Sequence, residues 1–192
     1  MLNDLSTPLT ALATRRSGKP RDLVSPGPSR AQLLDMIALA ARTPDHGKLA
    51  PWRFVIVAPE QRDAFAALLG EAFAAERSAA TPAQIEANAQ FAHQAPALVV
   101  LLFSPKAAGP IPLWEQELSA GAAGMNLLHA AQAVGFAGGW LTTWAAYSPR
   151  VRDAFGCEPE RIAGFFFIGT PARPLEERPR PALEAVASDW AG

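Results

Sequence analysis

No charged residue occurs between Glu117 and Arg150. A run this long has to be hidden from water, in a bilayer or inside a protein, because about 20 predominantly apolar residues already span a membrane. Its composition favours the protein interior. Gly121, Gly124, Gly135, Gly138 and Gly139 interrupt it, and Asn126, His129 and Gln132, spaced three apart, draw a drifting polar stripe along one side of a helix. A helix that is apolar nearly all round can be buried in a soluble protein, so no membrane partner is expected. The rest of the chain must then provide cover. At 192 residues it suits one domain, residues 1–192, and a fold of that size buries roughly 70% of the surface its unfolded chain exposes.

The composition is 49% hydrophobic and 18% charged, which places the chain with globular rather than disordered proteins. Its 17 basic and 18 acidic residues leave a net charge of −1, so the electrostatic footprint of general nucleic-acid binding is missing. Cys157 is the sole cysteine, which excludes an intrachain disulfide and a cysteine-based metal cluster and suits a reducing compartment. The N-terminal run MLNDLSTPLTALATRRSG contains Asp4 and has no apolar core. It does not read as a secretory signal, and a cytoplasmic location is expected.

A short helix is expected over 7–14, with Pro8 in its first turn, followed by an extended stretch holding Pro20, Pro26 and Pro28. Ser29 and Gln32 form a capping box, and Leu33, Leu34, Ile37 and Ala41 give the next helix an apolar stripe. TPDHG at 43–47 breaks that helix, and RFVIVA at 53–58 reads as a strand. Helical spacing returns over 60–76 through Phe65, Leu68, Leu69 and Phe73, and restarts at Thr81-Pro82. ALVVLLF at 97–103 suits a strand covered on both faces.

A long helix should run from Leu113 to a left-handed cap at Gly135, with a strand over 138–143 after it. Ser148-Pro149 opens a short helix that Gly156 ends, and 161–170 forms the last strand. Residues 171–192 are proline-rich. They read as an extended arm lying on a surface, since Leu183, Val186 and Trp190 would gain little in water. The order predicts an α+β fold with a small central sheet beneath helices.

Several common chemistries are absent from the sequence. CxxC, HExxH, GxSxG and GxxxxGK[ST] do not occur. Gly135, Gly138 and Gly139 lack the spacing of a dinucleotide fingerprint and follow a helix, where such a fingerprint follows a strand. No metal site is expected. Cys157 at a helix end reads as an inert thiol, and His129 on an apolar helix as a hydrogen-bonded core residue. Glu115 and Glu117, in the first turn of the long helix, read as complements to its dipole.

Two segments carry more. Arg15, Arg16 and Ser17 place two planar donors and a hydroxyl side by side where a helix gives way to extended chain. Such a trio suits a phosphate monoester, although two arginines at a helix C-terminus also simply satisfy its dipole. The second segment, RTPDHGKLAPWRF at 42–54, joins a helix to a strand with Pro44 and Pro51 stiffening its ends. Arg42 and His46 are thereby held on a fixed loop.

These two segments, with PLWEQELSAG at 112–121, GFAGGW at 135–140 and FFFIGTP at 165–171, resemble the nitroreductase family, and within it the short bacterial NAD(P)H nitroreductases. The resemblance runs from about Leu9 to Pro171, in order and at plausible spacing. It implies a small, mostly antiparallel sheet surrounded by helices, an intertwined homodimer, and FMN in clefts at the dimer interface. Arg15, Arg16 and Ser17 match the residues around the FMN ribityl phosphate, and Arg42 a flavin-contacting arginine. His46 matches a residue that reaches the flavin held mainly by the other subunit, and Trp140, Leu141 and Thr142 a strand segment lining the flavin. A cation near the pyrimidine side would stabilise anionic reduced flavin. The region from Leu69 to Ala92 is expected to cover the flavin.

Three positions depart from the family pattern. Ala50 stands where many relatives have Gln before Pro-Trp, and Leu141 where short relatives can have Arg. The family often adds a basic residue after the last strand, for which Arg173, Arg178 and Arg180 are all candidates. The resemblance implies an FMN-dependent oxidoreductase: NADH or NADPH reduces the flavin, leaves, and a small-molecule acceptor such as a nitroaromatic or quinone follows. The cofactor carries that chemistry, so no protein residue is expected to be catalytic. A flavin carrier or sensor without turnover, and a helical interaction module without cofactor, are the alternatives.

Overall fold

A computed structural model of the chain describes residues 2–107 and 110–192. Helix α1 spans Pro8–Thr14, capped by Thr7, whose hydroxyl accepts from the Thr10 amide at 3.0 Å. A two-residue strand β1, Leu23–Val24, lies in the proline-rich stretch and was not anticipated from the sequence. Helix α2, Arg30–Ala40, starts at the expected box: Ser29 Oγ accepts from the Gln32 amide and Gln32 Oε1 from the Ser29 amide. Strand β2 is Trp52–Val57. Helices α3, Arg62–Glu76, and α4, Pro82–Ala89, follow, and β3 covers Ala97–Phe103. Helix α5 runs Leu113–Ala133 and ends on Gly135 at φ 91°. Strand β4 is Ala137–Leu141, helix α6 Pro149–Phe155, and β5 Arg161–Pro171.

All strand pairs are antiparallel. The sheet is built on β5, which pairs with β1, β3 and β4, while β2 pairs with β3. Residues 165–168 of β5 bond β3 and β4 at once, so β5 lies between them. Strict alternation divides its apolar run between two cores. Phe165 and Phe167 face one side with Leu98, Val100 and Leu102, under Phe65 and Leu69 of α3. Phe166 and Ile168 face the other with Val99 and Leu101, under Leu33 and Met36 of α2 and Leu127 of α5. The fold is therefore helices, sheet, helices, and β3 is buried over its whole length as its sequence predicts.

The polar stripe of α5 is used inside the protein. Asn126 donates to Thr43 Oγ1 at 2.7 Å, and Gln132 Nε2 to the Ala11 carbonyl at 3.1 Å. His129 differs from expectation. It is half-buried and makes no hydrogen bond among the described residues, and desolvation, followed by the charge of Arg15, lowers its pKa. Among the described residues no helix is long and apolar enough to cross a membrane.

The region 69–92 packs on the face of the sheet opposite α2 and α5, with Phe91 against Phe165 and Phe167, while α4 within it buries none of its residues. One further expectation changes. Beyond residue 180 the arm does not lie on its own chain: Leu183, Val186 and Trp190 are exposed, Trp190 at 93%. Sequence reading also missed Arg62, which is buried at the start of α3 and staples three segments. Its guanidinium donates to the carbonyls of Val57 at 3.2 Å and Ala92 at 2.6 Å, and desolvation lowers its pKa to about 10.

Candidate functional site

The residues after α1 leave the helix at Arg15, whose ψ of 127° turns the chain extended. Asn3 then grips Arg16 with both ends of its amide, accepting from the Arg16 N–H at 2.6 Å and donating to its carbonyl at 3.2 Å. One step further, the Gly18 amide donates to the Gly138 carbonyl at 3.1 Å, drawing Arg15-Arg16-Ser17 alongside β4. Gly139 permits that approach, because a Cβ there would stand 2.6 Å from the Gly18 carbonyl oxygen.

The result is a cleft of about 420 Å³ between the Arg15–Pro20 segment, β4 and the outer side of α5. Arg15, Arg16, Ser17 and Lys19 form one wall, Met125, Leu128 and Leu141 an apolar one, and Arg178 of the arm enters from the C-terminal side. Arg15 Nη1 donates to Ser17 Oγ at 3.3 Å. Burial, and then the neighbouring Arg180 and Arg16, lower the pKa of Arg15, against the pull of Glu177.

The arm closes this side with its own charges. Arg16 Nε donates to the Glu176 carbonyl at 2.6 Å, Lys19 pairs with the Glu176 carboxylate at 3.0 Å, and Arg180 donates to the Arg15 carbonyl at 3.4 Å. Glu177 stands 3.7 Å from Arg16 and 3.3 Å from Arg180. Of the three basic candidates in the arm, Arg178 lines the cleft, whereas Arg173 pairs with Asp22 at 2.5 Å.

The strand segment contributes unequally. Trp140 turns its indole into the core: Nε1 donates to the Ala163 carbonyl at 3.0 Å and the ring lies 4.9 Å from Phe166. Ala163 is free to accept because it is the extra residue of a bulge, between the Leu101–Gly164 and Leu102–Ile162 pairs. Leu141 supplies the apolar wall. Thr142 lies beyond the strand, exposed, and does not line the cleft; its carbonyl accepts from the Ala146 amide at 3.2 Å.

Arg42 and His46 stand elsewhere. Both are exposed, and neither lines the cleft of its own chain. Their loop, with a proline at each end, is also held by α5. Asn126 holds Thr43, Ser119 Oγ donates to the Pro44 carbonyl at 2.7 Å, and His46 Nδ1 lies 2.7 Å from Glu115 Oε2. Gly47, Lys48 and Ala50 all have positive φ, and the Ala50 amide donates to Asp45 Oδ2 at 2.5 Å. Ala50, the position that departs from Gln, thus takes a left-handed backbone at φ 46°.

The profile of the Nitroreductase family matches residues 12–170. The chain belongs to this family. It is 37% identical over 164 residues to the Escherichia coli K12 protein named "Putative NAD(P)H nitroreductase YdjA", covering 85% of this chain and 87% of that one. Its fold is similar to that of a nitroreductase-like protein from Bacillus cereus, with a TM-score of 0.79 at 19% identity over 97% of both chains. The FMN- and NADPH-dependent nitroreductase NfnB from Sphigopyxis sp. strain HMH is similar too, with a TM-score of 0.73 at 22% identity, over 97% of this chain and 99% of that one.

Nitroreductase membership can be tested against the cleft itself. Its polar wall offers guanidinium, ammonium and hydroxyl donors, the set that matches a phosphate monoester. Its apolar lining of Met125, Leu128 and Leu141 suits an aromatic ring, and its volume lies within the roughly 300–1,000 Å³ of small-molecule sites. The residues fit FMN. Among the described residues no cluster of His, Cys, Asp or Glu could hold a metal ion.

Proposed function

We propose that this nitroreductase-family protein is an FMN-dependent oxidoreductase that takes hydride from NADH or NADPH and passes electrons to a nitroaromatic, quinone or similar acceptor. The observation that carries the reading is the cleft at Arg15–Lys19, which joins phosphate donors with an apolar lining of Met125, Leu128 and Leu141. The names of the curated relatives and of the NfnB structure support the same cofactors.

Arg15, Ser17 and Arg178 hold the phosphate in this reading, and Arg16 divides itself between phosphate and arm. The bound flavin supplies the hydride chemistry. Around it the protein binds, orients and excludes water: Met125, Leu128 and Leu141 face the ring, and the backbone of Trp140–Leu141 borders it. The protein acts as one domain, residues 1–192, whose arm 171–192 is part of the assembly, and it works in the cytoplasm.

The site is completed by a second copy. Arg42 and His46 cannot serve the cleft of their own chain from where they stand, and Leu12, Leu39, Trp114 and Leu118 are apolar residues left exposed on α1, α2 and α5. A homodimer gives both observations one explanation: the apolar helices meet, and each loop 42–46 addresses the partner's FMN.

Two variants, Arg15→Ala and His46→Ala, test this. Each should be nearly inactive in NAD(P)H-dependent nitroaromatic reduction at FMN concentrations that load the wild type but lie below the weakened dissociation constant of the variant. Mixed under exchange conditions they form heterodimers with one doubly damaged and one intact site, so random reassortment should restore about a quarter of wild-type activity. No recovery, with exchange verified by mass, would mean that Arg15 and His46 act on the same subunit's flavin.

A further inference from the structure

One face of α5 decides how His46 is presented. Glu115, Ser119 and Asn126, at spacings of four and seven, share that face. Each makes one hydrogen bond to the 43–46 loop: Asn126 to Thr43, Ser119 to Pro44 and Glu115 to His46. Glu117, by contrast, pairs with Arg161. Glu115 is thus engaged in more than the helix dipole.

The contact between Glu115 and His46 has a chemical direction. An ionised carboxylate only accepts, so at 2.7 Å the proton sits on Nδ1 of the imidazole. In the neutral form of the ring, Nε2 is then left unprotonated, an acceptor. Nε2 has no partner among the described residues, and the side chain is 67% exposed. A carboxylate that fixes the tautomer and rotation of a histidine is the device by which a second residue directs an imidazole toward its target.

We infer that Glu115 is a positioning residue, which holds His46 in the Nδ1–H tautomer so that Nε2 is offered as a hydrogen-bond acceptor to the flavin of the second copy. The inference rests on the reading that His46 contacts that flavin, and it adds to it the identity of the atom and the group that directs it. Glu115→Ala removes the acceptor at a half-buried helical position whose backbone alanine suits well.

The first readout needs no cofactor. Long-range 1H–15N spectra of the FMN-free protein, at alkaline pH where the imidazoles are neutral, separate the two tautomers. The chain has three histidines, and the His46 signals are those that His46→Ala removes. Wild-type His46 should show Nδ1–H, and in Glu115→Ala the Nε2–H form should take over. The second readout is FMN affinity, which Glu115→Ala should weaken by about tenfold. Adding Glu115→Ala to His46→Ala should cost nothing more.

An unchanged tautomer in Glu115→Ala overturns the proposal, as does an additive double variant. If His46→Ala leaves FMN affinity at the wild-type value, the reading that His46 touches flavin fails instead, whatever the tautomer shows.

Discussion

Arg15→Ala should lower FMN affinity by one to two decades and riboflavin affinity far less. Riboflavin lacks the phosphate, and a charge-assisted hydrogen bond contributes roughly 1.5–3 kcal/mol. Arg15 is the arginine best placed for that role. Its guanidinium is half-buried against Ser17 Oγ, and its charge has only Glu177 to offset Arg16 and Arg180. An incoming dianion would therefore relieve repulsion as well as accept hydrogen bonds. Arg16 is the less informative target, since its Nε already donates to the Glu176 carbonyl and its loss would loosen the arm. Titrating both ligands into wild type and variant by fluorescence quenching checks this. Equal losses for FMN and riboflavin would make the trio a structural element and remove its role at the phosphate.

Gly164→Ala should cost between about 1 and 3 kcal/mol of stability, the range of overpacked cores. For a chain of this length, that is roughly 2–12 °C in melting temperature at fixed protein concentration. The Trp140 indole lies where the alanine methyl would be, with Phe166 and Gly124 closing the space behind it: a Cβ on Gly124 would stand 2.8 Å from the Phe166 ring and 3.1 Å from the indole. The indole has nowhere to retreat and would give up its bond to Ala163. Trp140→Leu in the same background should recover much of the loss, a coupling that a double-mutant cycle reads directly. An equal loss with either residue at 140 would mean that the clash is not with the indole.

Much of the fold could be read from local signals. Thr7, Ser29, Thr81 and Ser148 each cap the helix they precede, and each does so with a side-chain oxygen that accepts from the backbone amide three residues on. The run of FFFI at 165–168 and the all-apolar 97–103 predicted doubly covered strands because such strands have no wet face. Helix and strand ends could be placed only to within one or two residues, as with β4, which stops at Leu141 where Thr143 takes a positive φ.

Pairing across distance was not legible. Nothing local to Leu23 announces that it bonds the end of β5, and nothing in Arg62 distinguishes it from the solvated arginines of an amphipathic helix. The same holds at the site. The trio Arg15–Ser17 could be found by its chemistry, and Gly138 and Gly139 could be placed at the start of a strand. Their meeting through the Gly18–Gly138 bond depends on β4 returning beside the N-terminal segment. Trp140 carried a cofactor-lining expectation from the family resemblance; it does line the cleft, and no sequence signal announces that its indole donates to a carbonyl exposed by the bulge at Ala163. Arg178 could not be chosen over Arg173 until the arm's path was known, since both follow the last strand and both are surrounded by acids.

The measurement that bears most directly on the redox reading is the colour of the FMN-loaded protein under anaerobic NADH or NADPH. The visible band of the oxidised flavin should bleach rapidly with at least one of the two, and return when a nitroaromatic or quinone is added. A protein that binds FMN, stays yellow with both nucleotides and never cycles would be a carrier or sensor, and would contradict the assignment of an oxidoreductase.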